Sequence, residues 1–235
     1  MDIILYLLFI AALVFSVGAQ IKVSTTFKKY SRVGAGRGRT AAEVARRILD
    51  SQGLFDVRIE RVGGNLTDHY DPRTRVLRLS DTVYGSSSAA AVGVAAHEVG
   101  HAIQHAKKYA PLSFRSALVP AVNFASRFSW IAITIGCLIM AFAGFLEFYL
   151  LGYYLLLAGI VLFSATTLFH LVTLPCEINA SRRAIAELSY TGWYSSEELS
   201  GCKKVLSAAA MTYVAALAVS LIQLLRLLSM VNRRR

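Results

Sequence analysis

Four apolar runs punctuate this chain. Residues 3–17 are almost wholly apolar, about the shortest run that crosses a bilayer as a helix. Residues 129–148 and 149–174 form two more, broken near Glu147 and Gly152, and together predict a transmembrane hairpin. Residues 205–230 are apolar again, with Gln223 and Arg226 toward their end. A span over 205–225 is the least marked of the four, so three or four transmembrane helices are expected.

Between the first and second runs the periodicity changes. Thr40 and Glu43 have the spacing of a capping box, opening a helix to about residue 50 with Val44, Ile48 and Leu49 on one face. Residues 57–62 alternate apolar and charged, as a half-buried strand does. Residues 66–70 and 75–79 read as two more short strands, joined through Asp71, Pro72, Arg73 and Thr74. Ser86, Ser87 and Ser88 start a helix reaching about residue 107, whose first turns are small and apolar and suit burial on all sides. The Gly/Arg-rich stretch 31–39 reads as a flexible linker, because it lacks the preceding strand and following helix of a phosphate loop.

Composition agrees with membrane helices: hydrophobic residues make up 55% and mean hydropathy is +0.51. Net charge is +11, but 17 of the 25 Lys and Arg lie in residues 20–127 and most others flank apolar runs. With no basic patch interleaved with aromatics, nucleic acid is set aside, and the positive-inside rule puts 20–127 on the cytoplasmic side. Val17, Gly18 and Ala19 have the small residues of a signal-peptidase site. Yet Asp2 precedes the first run while Lys22, Lys28 and Lys29 follow it, an order that favours a retained anchor with its N-terminus outside. Arg233, Arg234 and Arg235 read as an interface anchor, and they end up outside if 205–225 crosses fully. Cys137, Cys176 and Cys202 form no C-x-x-C pair, which argues against a disulfide framework.

The chemistry lies in His97-Glu98-Val99-Gly100-His101. Two histidines four residues apart share a helical face and hold one Zn2+, and the glutamate beside the first acts as general base. A catalytic zinc needs a third protein ligand. His105 is too far along the helix, about 12 Å from His97 at 1.5 Å per residue. Gln104 stands where a helix-breaking glycine would let a downstream histidine return. Glu177 is the best candidate, because two apolar runs separate it from His97. If both cross the membrane, the two residues return to one face and can meet.

Three segments carry a resemblance: 67–72 (TDHYDP), 93–105 (GVAAHEVGHAIQH) and 174–181 (LPCEINAS). They resemble the YugP-type membrane zinc metallopeptidases of bacteria, with a match through most of the chain. More remotely the chain is similar to HtpX-like and CAAX-prenyl membrane proteases, whose third ligand is the glutamate of an E-x-x-A-D pattern. Glu177 and Ala180 fit that pattern, while Ser181 stands where those families have the aspartate that orients a ligand histidine. Asn179 and Asp68 are candidate substitutes. The resemblance implies a neutral zinc metallopeptidase of the cell membrane.

The expected fold is a mainly α membrane protein with a small α+β zincin-like catalytic region. Its parts are an anchor (1–19), the zinc-peptidase region (20–127), a transmembrane hairpin (128–174), a third-ligand helix with a polar segment (175–204), and a C-terminal apolar helix with a basic tail (205–235). The expected function is a multi-pass endopeptidase with one Zn2+ per chain, held by His97, His101 and Glu177, with Glu98 as base. It acts on membrane or membrane-associated proteins. His69, Tyr70 and Arg183 are candidate oxyanion donors, and the strand at 66–70 is a candidate edge for an extended peptide. The alternative is a membrane scaffold with a purely structural metal.

Overall fold

The computed structural model describes residues 2–232, so the Arg233–Arg235 anchor lies outside the described residues. Seven α-helices and one three-stranded sheet account for most of them. In chain order they are α1 (Asp2–Tyr30), α2 (Ala41–Ser51), β1 (Arg58–Val62), β2 (His69–Asp71), β3 (Val76–Ser80), α3 (Asp81–Tyr84), α4 (Ala89–Ala106), α5 (Ala110–Phe142), α6 (Leu146–Tyr190) and α7 (Ser196–Asn232). Four of them, α1, α5, α6 and α7, are long and apolar enough to cross a membrane. The protein is mainly α, with a small α+β region. Two compact units share the chain: residues up to 17 with 114–174 and those from 214 on, and residues 18–113 with 175–213.

In the first unit, α5 and α6 meet through glycines. A Cβ built on Gly136 would lie 2.7 Å from the Gly152 carbonyl oxygen, and one on Gly152 would lie 2.8 Å from that of Gly136. Gly152 therefore does not break the hairpin as expected. It lets two backbones approach, which is how helices associate where lipid offers no hydrophobic contrast. The chain turns at residues 143–145, beside Glu147 as expected. Ile133, Met140, Leu156, Ile160 and Phe163 pack beside this contact with Leu227 and Val231 of α7. Arg226, a cation in an apolar run, lies over the rings of Tyr6 (4.1 Å) and Phe9 (4.4 Å) and donates to Gln223 Oε1.

The second unit is built around α4. Ser88 caps it, accepting from the Ala91 amide, and 13 of its 18 residues are buried. Its small side chains let neighbours close in: the Cβ of Cys202 on α7 lies 3.4 Å from where a Cβ on Gly93 would sit. Helix α2 begins at the expected capping box of Thr40 and Glu43 and buries Val44, Ile48 and Leu49 in the same core. The sheet runs β1-β3-β2, with β3 parallel to β1 and antiparallel to β2. Central β3 is the most buried, while β2 is an edge and shorter than the expected 66–70, since Leu66 adopts a left-handed φ of 54°.

The stretch 31–39 is a packed strap and not a free linker. The Ala35 amide donates to Ser87 O and that of Gly36 to Glu198 Oε1, and the Arg39 guanidinium lies 4.0 Å over the Trp193 ring. Sequence composition signals bends here, but the partners lie some 50 and 160 residues away and are invisible to it.

Candidate metal centre

Helix α4 and the last turns of α6 build the site together. The third-ligand helix expected near Glu177 is the continuation of the hairpin's second arm, running through Pro175 to Tyr190. Glycine at position 100 makes the contact possible: a Cβ there would sit 2.5 Å from the Ala180 carbonyl oxygen. That close approach lies between His97 and His101 on one helix and opposite Glu177 and Ser181 on the other.

Nε2 of His97 lies 3.2 Å from Glu177 Oε2, and Nε2 of His101 lies 3.6 Å from Glu177 Oε1. One ligand atom from each of the three residues falls within 4.8 Å of the others. Tetrahedral zinc with bonds of 2.0–2.1 Å separates its donors by about 3.4 Å. Two imidazole nitrogens and a carboxylate at these distances fit that ion and leave one position free. Glu177 is 2% exposed. A buried carboxylate is held by partners or by a cation, and here both imidazoles face it.

The far nitrogen of each ring is also engaged. His101 Nδ1 lies 3.0 Å from Gln104 Oε1. Gln104 is fully buried and its Nε2 donates to Cys176 O (2.8 Å) and Asn179 Oδ1 (3.0 Å). Those two acceptors fix which end of the amide is oxygen, so Gln104 accepts and His101 Nδ1 donates. The proton then sits on Nδ1 and leaves Nε2 a lone pair for metal. His97 Nδ1 lies 3.1 Å from Ser181 Oγ. A hydroxyl orients the ring but brings no charge and does not dictate the tautomer.

Glu98 points to the same region. Its Oε2 accepts from the Tyr70 amide of edge strand β2 at 3.1 Å. Burial pushes the Glu98 carboxyl above its ordinary range, against the opposing pull of His97 and His101.

The remaining sequence candidates stand further off. Asn179 reaches His101 only through Gln104, and its Oδ1 also accepts from Arg183 Nε. Asp68 lines the cavity beside the site but accepts from the amide and hydroxyl of Ser80. His69 is exposed, with its ring against Thr67 O and Arg78. The Tyr70 hydroxyl turns to His105 Nδ1, 2.9 Å away. Sequence reasoning passed over Gln104 except as the absence of a glycine. The available signal was its position three residues after His101, on the same helical face.

The sequence matches, over residues 5–232, the family described as "Putative neutral zinc metallopeptidase". A relative in Bacillus subtilis (strain 168), described as "Putative membrane protease YugP", is 52% identical over 218 residues, covering 92% of this chain and 92% of that protein. No solved structure matches. The chain belongs to this zinc metallopeptidase family.

Proposed function

We propose that this member of the family is a membrane endopeptidase that cuts membrane or membrane-associated proteins, binds one Zn2+ through His97, His101 and Glu177, and uses Glu98 as its general base. The observation that carries this is the convergence of two Nε2 atoms on a buried carboxylate, with Glu98 lining the same cavity as His97 and Glu177. Zn2+ supplies Lewis acidity toward a water molecule and the scissile carbonyl when bound. The chain does the rest. Gln104 holds His101 in the tautomer that offers Nε2, and Ser181 orients His97. Glu98, pinned through Oε2 by the Tyr70 amide, takes the proton of the attacking water and delivers it to the leaving amine nitrogen.

Strand β2 supports the binding of extended peptides. It pairs with β3 on one side, and its other edge runs beside Glu98. We assign no step to His69 or Arg183, whose side chains are turned to Arg78 and Asn179. The concentration of Lys and Arg in residues 20–127 supports a site on the cytoplasmic face. The four candidate spans support substrates that are themselves in or at the membrane.

The test is metal content and proteolysis on detergent-purified protein prepared without chelator. The parent is expected to carry about one zinc per chain and to cut peptides. Glu98→Gln keeps the zinc and loses cleavage. A Glu98→Gln protein that cuts as fast as its parent would falsify this assignment.

A further inference from the structure

Beside the ligand cluster lies a cavity of about 230 Å3. Its polar end is His97, Glu98 and Glu177. The rest of its wall is largely aliphatic and aromatic, and three helices contribute. Val94 stands one turn before His97 on α4, and Phe27 enters from α1. Helix α7 presents Leu206, Ala209 and Ala210, which share one face at helical spacing. The two alanines are the smallest side chains on that face, and the space opposite them is what the cavity occupies.

We propose that this cavity is a subsite for one large apolar side chain of the substrate, and that Ala209 and Ala210 set the size it accepts. The proposal rests on the peptidase reading above and adds the class of residue selected. Size comes first: an apolar cavity of roughly 150 Å3 holds a benzene ring, so this one takes leucine, methionine or phenylalanine. Charge comes second. Asp68, Glu98 and Glu177 line it, and no lysine or arginine does among the described residues. Away from that polar end the wall offers a charged side chain neither counter-ion nor hydrogen bond, and a small one would leave apolar wall uncovered.

Two readouts test this. The first is binding, by fluorescence anisotropy, of labelled decapeptides that differ only in a central Gly, Ala, Leu or Phe. The protein is zinc-loaded Glu98→Gln in detergent, with empty micelles as blank. The Leu and Phe peptides are expected to bind about tenfold or more tightly than the Gly peptide, with Ala between. Adding Ala210→Phe levels the series, and Ala210→Leu or Ala209→Val serves if that variant does not fold. The second readout is mass-spectrometric mapping of cuts in a mixed peptide library. The parent should show Leu, Met and Phe enriched on one side of the scissile bond, and the Ala210 variant should show Gly, Ala and Ser there. Equal binding across the series overturns the subsite, as does a Leu preference that folded variants at 209 and 210 leave untouched. The peptidase reading then still stands if the parent cuts the library. A library left uncut by zinc-loaded parent, with the apolar binding series intact, overturns the peptidase reading and keeps the pocket.

Discussion

Replacing Gln104 with methionine tests how His101 is held. Methionine keeps the length and apolar stem of glutamine but removes both ends of its network. The His101 Nδ1–H loses its acceptor at 3.0 Å, and Cys176 O and Asn179 Oδ1 lose a donor. Asn179 keeps Arg183 Nε, so folding should weaken by only about 1–3 kcal/mol. The larger effect falls on the metal. Removing the group that orients a ligand histidine typically costs 10–100-fold in metal affinity, about 1.4–2.7 kcal/mol. Competition against a chromophoric chelator measures it directly. Thermal melting with and without zinc measures it again, because ligand stabilisation follows affinity. The network has no such role if folded Gln104→Met binds zinc within about twofold of the parent.

Three further outcomes follow from the same geometry. Glu177→Ala removes the carboxylate that faces both imidazoles, and elemental analysis should find most of the zinc gone. Retention of stoichiometric zinc would mean that another group is the third ligand. Gly100→Ala places a methyl 2.5 Å from Ala180 O and forces α4 from α6. Chemical denaturation should show a loss of about 1–3 kcal/mol, with weaker zinc binding, and an unchanged midpoint would show that the helices are not in contact there. Ser181→Ala should weaken zinc about tenfold by releasing His97 Nδ1, and Ser181→Asp should restore at least parental affinity. Equal affinity in all three proteins would leave Ser181 no part in the site.

Much of the site is legible along the chain because helical spacing is a local property. His97 and His101 share a face at any place in any fold. Thr40 and Glu43 cap α2 through atoms three residues apart, and apolar runs declare themselves by length. Even the meeting of His97 with Glu177, 80 residues on, is what an even number of candidate spans between them leads one to expect. The strap at 31–39, the packing role of Gly152 and the shortness of β2 are not legible in this way. Each depends on which distant backbone comes close.

The sequence by itself determined the membrane class, the helix that carries the histidines and the carboxylate that meets them. Period, length and residue type suffice for those. Only the tertiary structure decided what holds each histidine, because a side chain's partner is chosen by contact. Gln104 becomes an acceptor for His101 only when Cys176 and Asn179 arrive on α6 to take its amide protons. Ser181 reaches His97 Nδ1 only because Gly100 lets the two helices close on each other. The cavity likewise exists only where α1, α4, α6 and α7 come together, and no single stretch of chain contains its shape.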